Sequence, residues 1–559
     1  MRFISLAVIL ICLSISAFAA TDSLIIQGKV LNLNGRLYRQ APAITFSRNN
    51  ILQPQSELSK QAPLAADGSF RVSLPMIYAK EEIYLDYSGK AFTTFLGSPG
   101  TIDIVFDGDS LGKAKRLFYF AGENAEANNQ NFSYLDAESN RLASNPALGS
   151  KFYETFWAKS PNEVQELAAK RAELKLSALT VVGQKGMIDP TMRTWAQSLA
   201  QDEKLQNLYE YALANYFSVS KDLLDSLNRL SQSPLTAQRV TWASRFGSFA
   251  DRAIADKMAG TPGRSNSLPV RRMAYLILSN GINLSHEEKT LLNAISEKGT
   301  AEKTEIDFLS RMYAKNEITL NLLFGYERES RLYGDLYDST AREFLKARYL
   351  PKNFHKYTYA QQVRLGKHIQ STLTIPEFKK SLEEIVNIEV KDSTDVAKLI
   401  AFKDAGIQPT EALPGYYISA SREKGTTWFN NIVDSYKGKT IYVIKWNFDD
   451  EKSRQELEYV AALQQELPND VVFLYLHVPL EETGISGDLV KQYMVRHRLK
   501  GTHLFLSGYQ ASDLLFRLNP IEPGTFAIIR PNGKFYAKSA PGPSSMNRTI
   551  QAILEARSK

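Results

Sequence analysis

Cysteine is almost missing: the 559 residues hold one, Cys12, and it falls within an N-terminal export signal. Met1-Arg2 supplies a positive start, Phe3 to Phe18 an apolar middle, and Ala17-Phe18-Ala19 a small-residue cleavage pattern, so processing is expected after Ala19. That run is shorter than the ~20 apolar residues a spanning helix needs, and no stop-transfer charges follow it. Bulky Ile11 ahead of Cys12 does not suit a lipid-attachment box. No later run is long and apolar enough to cross a bilayer, so a soluble mature chain in the periplasm or cell envelope is expected. Without cysteine that chain has no thiolate to attack a disulfide, which excludes thiol–disulfide exchange. It has no disulfide either, and its stability must come from packing.

Histidine is scarce too, with six in the chain, and none has the spacing of a metal-ligand pair. Phosphate-loop, dinucleotide, Gly-x-Ser-x-Gly and His-Glu-x-x-His patterns are missing, so no cofactor and no metal is implied. Charge is not concentrated anywhere. The formal +7 falls to +6 when Arg2 leaves with the signal, and the excess is spread along the chain as a mildly basic surface. An exported chain of this kind is not expected to meet nucleic acid. What is plentiful is core-forming residues: 44% of the chain is apolar or aromatic, with 28 Phe and 27 Tyr. Roughly 540 residues after cleavage suit three or four domains of ~100–200 residues.

Three regions follow in order, with boundaries expected at 20–112, 113–410 and 411–559. The first carries short β-prone runs: Leu24-Ile25-Ile26, Lys29 to Leu33, Ala43 to Phe46, Ile83 to Tyr87, Phe95-Leu96 and Thr101 to Phe106. Asp67-Gly68 is a turn signal ahead of the alternating Ser69-Phe70-Arg71-Val72, and the series predicts a small β-sandwich. The second region has helical periodicity and predicts a long all-α segment. Asp189-Pro190 reads as an N-cap with Pro in the first helical position, followed by Trp195, Leu199, Ala200, Leu208, Tyr209, Ala212 and Tyr216 largely on one face. Ser285 to Glu288 reads as a capping box, and helices are expected near 305–313, 340–348 and 358–370. The third region is α/β: a strand at Thr440 to Trp446, a helix at Ser453 to Leu467 ended by Pro468, and a strand at Val471 to Leu476. A strand at Thr525 to Ile529, a turn at Pro531 to Lys534 into Phe535, and a helix at Asn547 to Ala556 complete it. Strand–helix–strand, then strand–hairpin–strand–helix, is the thioredoxin order.

Within that order, Tyr436-Lys437-Gly438-Lys439 running into Thr440 to Trp446 resembles the first strand of the TlpA/ResA-like thioredoxin family. Arg454-Gln455-Glu456-Leu457 is similar to the segment after the family's second cysteine. Thr525 to Ile529 with Asn532-Gly533-Lys534 is similar to its Pro-led strand and turn. The layout as a whole resembles cell-envelope proteins of the Bacteroidota. Counted back from Arg454, the resemblance implies that the cysteine positions are Asp450 and Ser453; counted back from Gly533, that the cis-proline position is Gly524, with Pro523 one place early. These are the positions of a degenerate redox site. The acidic cluster Asp449-Asp450-Glu451 at a helix start suits capping of free N–H groups. His477, His497 and His503 share the region as candidates for a site with Asp450. His477 is expected to end a strand and His503 to precede one, both at edges. No catalytic residue is assigned. The resemblance without its chemistry implies a binding or scaffolding protein whose partner is an envelope protein or peptide. The alternatives are a non-redox, hydrolase-like enzyme using carboxylate, His or Ser groups, and a modulator of cysteine-containing relatives.

Overall fold

A computed structural model describes residues 23–227, 234–259, 268–281, 283–403, 405–479 and 487–558; the segment expected to be an export signal, with Cys12, lies outside them. Its sheets lie at the N-terminal and C-terminal ends of the chain, and the middle is helix-rich. Among the described residues no helix is long and apolar enough to cross a membrane. The chain divides into two compact units: Met1–Lys352 with Arg364–Ile385, and Asn353–Val363 with Val386–Lys559.

The first unit opens with β1 (Ser23–Leu31), β2 (Ala43–Asn50), β3 (Gln53–Pro63), β4 (Ser69–Pro75), β5 (Glu81–Asp86), β6 (Phe92–Gly97), β7 (Gly100–Asp107) and β8 (Tyr119–Gly122). They form two four-stranded sheets, ordered β4-β1-β7-β8 and β3-β2-β5-β6. Alternate residues of each point inward: Leu24, Ile26, Ile102 and Ile104 from one sheet meet Ile44, Phe46, Ile83 and Phe95 from the other in one core. The two runs expected at 24–26 and 29–33 are a single strand, β1, because Gly28 lets it pass close under Ile104 and Phe70; a Cβ there would stand 1.8 Å from the Ile104 carbonyl oxygen. At the Asp67-Gly68 turn Gly68 has φ +83°, as a left-handed turn position requires. Strand β3 went unforeseen, since its start, Gln53-Pro54-Gln55-Ser56-Glu57, lacks the apolar alternation that marks a half-buried strand.

Helix α1 (Ala125–Ser144) blocks one edge of each sheet with adjacent asparagines. The Asn128 side chain accepts from Leu96 N (2.7 Å) and donates to Leu96 O (3.0 Å) on β6. Asn129 accepts from Phe120 N (3.1 Å) and donates to Phe120 O (2.8 Å) on β8. Each amide thus stands in for a neighbouring strand, which leaves neither backbone group orphaned and neither edge open at that point. Asn128→Ala is expected to lower stability by ~1–3 kcal/mol in urea melts, since it strands a buried N–H and C=O. A loss below a few tenths would mean that water satisfies the edge.

Helix α2 (Pro190–Ala214) begins as expected: the Asp189 carboxylate accepts from Thr191 N (2.8 Å) and Met192 N (3.1 Å) with Pro190 in the first turn. Trp195, Ala196, Leu208, Tyr209 and Ala212 are buried, while Tyr216 lies beyond the helix in a short 3-10 turn. The Ser285/Glu288 capping box opens His286–Lys298, and the remaining expected helices are Lys303–Lys315, Ser339–Arg348 and Tyr359–Thr372. Glu82 on β5 ties sheet to helices: one carboxylate oxygen accepts from Trp195 Nε1 (2.7 Å), the other from Ala237 N (2.8 Å) at the start of α3 (Ala237–Ala259). A buried carboxylate held by two donors makes these helices part of the sheets' unit. They share it with α4 (Pro376–Glu389), most of which lies in the same unit.

In the second unit β9 (Thr410–Leu413), β10 (Tyr416–Ser419), β11 (Ile441–Trp446), β12 (Val472–His477), β13 (Gly501–Phe505), β14 (Thr525–Ile529) and β15 (Phe535–Ala537) form one sheet. Its order is β15-β14-β11-β12-β13-β10-β9. Strands β10, β13, β12 and β11 run parallel, while β14, β15 and β9 are antiparallel to their neighbours. Tyr442, Ile444 and Trp446 pack on one face with α6 (Glu451–Leu457), α7 (Val460–Glu466) and α10 (Met546–Ser558). Ile441 and Val443 pack on the other face with α5 (Gly425–Ser435) and α9 (Gly508–Leu514). With both faces covered, all six residues of β11 are buried. The single helix expected at 453–467 is two, α6 and α7, parted at Glu458-Tyr459 with Tyr459 half exposed; Leu457, Val460 and Leu463 all reach one core across the break. Helix α8 (Gly487–Arg496) and β13 intervene between β12 and α9. His503 is therefore not beside a strand edge: it sits inside β13, between β12 and β10, and is 1% exposed.

Candidate functional site

Strand β11 ends at Trp446, and the chain turns through Asn447 to Asp449 into α6. Asn447 shapes the turn: its side chain donates to Val478 O (2.6 Å) and accepts from Asp449 N (2.7 Å). Asp450 has extended backbone angles and its carboxylate accepts from Ser453 N at 2.7 Å, the standard N-cap arrangement. Ser453 is 1% exposed, and its Oγ accepts from Asn447 N at 3.3 Å. Arg454 donates to Phe448 O (2.6 Å) and closes the turn from the far side.

Gly524 completes the group. Its φ is +69° and its N–H donates to Lys445 O at 2.8 Å, which sets it beside the α6 start. A Cβ on Gly524 would stand 3.3 Å from Lys452 Cδ and 3.6 Å from Asp450 Oδ2. The fold thus brings Asp450, Ser453 and Gly524 together. Among the described residues the cis peptide is Asn519–Pro520, so Pro523 follows a trans bond.

In the sequence Lys445 reads as one residue of an apolar strand, with no signal of its own. It is fully buried, its ammonium donates to Pro520 O (2.5 Å), and burial pulls its pKa down to about 8, with Glu522 acting against that. Side chain and carbonyl of this one residue therefore hold both ends of the Pro520–Gly524 segment.

The histidines do not converge on Asp450. His477 stands edge-on to Trp446 with centroids 5.1 Å apart, and burial lowers its pKa to about 4 against the pull of Asp449. His497 packs on Tyr493, also lowered to about 4 by burial. His503 is stacked on Tyr475 at 4.4 Å, pairs through Nε2 with Leu499 O (2.8 Å), and is lowered to about 3 by burial. His355, not singled out before, lies near Arg454 and Asp449 and is lowered to about 4, by burial first and then Arg454. All four are neutral at pH 7. Among the described residues no three His, Cys, Asp or Glu side chains are placed to hold a metal ion. The Ser453 hydroxyl accepts from the Asn447 N–H and the Asp450 carboxylate from the Ser453 N–H, so the bonds seen here cap and position a helix.

No family model matches the chain, and no curated protein matches it. A solved structure does, that of a candidate thiol–disulfide oxidoreductase from Bacteroides vulgatus determined in solution. It is 20% identical over 22% of this chain and 78% of that one, with a TM-score of 0.18. A score that low carries no argument about fold or activity.

Proposed function

We propose that the protein is exported and that residues 411–559 form a thioredoxin-like domain of the TlpA/ResA type. In it a helix cap replaces the redox centre, and the domain binds an envelope protein or peptide without redox turnover. The β-sandwich expected at 20–112, extended in the fold through β8, and the helix-rich residues after it precede this domain in the chain. The observation that supports this reading is the meeting of Asp450, Ser453 and Gly524 at the end of β11. The cysteine and proline positions implied by the family resemblance fall on three residues that touch or adjoin one another, at the start of a helix that follows a central strand. A carboxylate at that helix start satisfies a free N–H and the positive end of the helix, which a thiolate would otherwise do.

Mature protein purified from the exported fraction should lack a titratable thiol and reduce insulin no faster than buffer. One thiol per chain would overturn the processing, and turnover would overturn the reading. Asp450→Asn is expected to keep the hydrogen bond from Ser453 N and lose only the charge–helix part, ~0.3–1 kcal/mol in urea melts. An envelope partner captured by the wild type should be lost with Lys452→Glu, a change at an exposed residue beside Gly524. Equal capture by both would count against this surface as the binding site.

A further inference from the structure

The first unit holds a cavity of about 320 Å³ lined by Tyr78, Lys80, Arg239, Ile375, Glu377 and Phe378. Three parts of the chain build it. Tyr78 and Lys80 precede β5, Arg239 lies in the first turn of α3, and Ile375, Glu377 and Phe378 lead into and open α4. Its size is at the low end of small-molecule sites, roughly 300–1,000 Å³.

The lining combines apolar walls with polar groups of both signs. Arg239 is 2% exposed, and its guanidinium lies over the Tyr78 ring at 5.5 Å. Glu377 and Asp202 both act on the Arg239 charge, Asp202 from behind the wall, where it accepts from Trp242 Nε1 (2.7 Å). The Lys80 ammonium donates to Thr191 Oγ1 at 2.9 Å, which fixes it at the rim. The Tyr78 and Ser381 hydroxyls are buried beside each other but outside the geometry of a full hydrogen bond, and Ser381 only partly offsets the rise that burial imposes on the Tyr78 pKa. A buried phenol held this loosely costs stability unless a better partner meets it. Here it stands beside a buried cation in a cavity, so the group that meets it is an acceptor, with negative charge favoured.

A plain anion is not what the cavity balances, because Glu377 opens on the same space and two carboxylates already offset Arg239 and Lys80. We propose that the cavity binds a small apolar zwitterion, an α-amino acid. Its carboxylate meets Arg239 and the Tyr78 hydroxyl, its ammonium meets Glu377, and its side chain lies on Ile375 and Phe378. Nothing in this assignment depends on the site at Asp450.

Calorimetric titration of the full-length protein with L-phenylalanine, 3-phenylpropionate and phenethylamine tests it, since the latter two each lack one charge. Phenylalanine should bind roughly tenfold more tightly than either, each lost charge leaving a desolvated partner unmatched. Glu377→Gln should weaken phenylalanine by about tenfold and leave 3-phenylpropionate unchanged; Tyr78→Phe should weaken both carboxylates several-fold and leave phenethylamine unchanged. Both variants alter atoms in the cavity while keeping side-chain shape, and circular dichroism melts confirm that they fold. Phenylalanine binding no tighter than its one-charge analogues, no binding of it or of L-leucine up to about 10 mM, or an unchanged phenylalanine affinity in Glu377→Gln would each overturn the assignment.

Discussion

Arg48→Met is expected to lower the stability of the first unit by ~3–5 kcal/mol in denaturant melts, a larger loss than any surface charge would give. Arg48 is fully buried on β2; one guanidinium nitrogen stands 3.5 Å from Glu81 Oε2, and the other pairs with Glu384 on α4. Glu81 is also fully buried. Its second oxygen accepts from Ile77 N (2.6 Å) and Tyr78 N (2.8 Å), so it cannot turn away. Burial raises the Glu81 pKa, Arg48 is the strongest influence pulling it back, and Glu384 pushes it up. Removing the guanidinium therefore leaves the fully buried Glu81 carboxylate facing the part-buried Glu384 with no cation between them, while methionine still fills the stem's space. If that charge imbalance is the cause, Arg48→Met with Glu81→Gln should recover more than half of the loss, because glutamine still accepts from the two backbone N–H groups. The coupling between the two changes is then the measurement. A single-variant cost under ~1 kcal/mol would mean that the pair is hydrated and not the buried clasp described.

The layout of sheets, helices and sheet was legible because each region's apolar spacing is local. Period-two runs such as Thr101 to Phe106 become β7, and Asp189-Pro190 opens α2 as its chemistry requires. What local pattern does not encode is which parts pack together. Glu82 looks like an ordinary charged residue ahead of a strand, yet its bonds to Trp195 and Ala237 join residues 113 and 155 positions apart. Asn128 and Asn129 look like a polar stretch of helix, and only the two sheet edges beside them give their amides meaning. The break between α6 and α7 also lacks a Gly or Pro signal, and the helix reading ran through it.

At the candidate site, counting from Arg454 and Gly533 selected three residues that the fold brings together, even though 71 positions separate Ser453 from Gly524. The reason is that β11 and β14 are neighbours in register, Lys445 opposite Thr525. The histidines were not legible in the same way. Whether His503 lies at an edge depends on β13 being inserted between β12 and β10, and a single strand's sequence does not state its neighbours. The cavity residues left no motif at all: Tyr78, Arg239 and Glu377 come from three segments and converge only in the folded unit.

Asp202 sets a pH dependence of definite sign in that unit. It is 1% exposed, and its pKa rises from 3.8 to about 6, because burial outweighs the bond from Trp242 Nε1, the Arg239 charge and the Thr236 hydroxyl. A raised carboxyl binds its proton more tightly in the folded chain than in the unfolded one. Its contribution is therefore fully present below the unfolded value near 3.8 and is lost as pH rises through about 6. At 1.36 kcal/mol per pKa unit, the rise of about two units makes folding less favourable by about 3 kcal/mol above pH 6 than below pH 4. Asparagine mimics the protonated state: its amide oxygen still accepts from Trp242, and its amide donates where the Thr236 hydroxyl can accept. Asp202→Asn should therefore match the wild type below pH 4 and exceed it by up to about 3 kcal/mol above pH 6, with the difference growing between those limits. Other carboxylates, Glu203 and Asp251 among them, are lowered in the fold and titrate with the opposite sign, so the curve to examine is variant minus wild type. A difference that is flat from pH 4 to 7 would mean that Asp202 is hydrated or fully neutralised by Arg239. A variant less stable at pH 7 would mean that the ionised carboxylate is needed to hold the buried guanidinium in place.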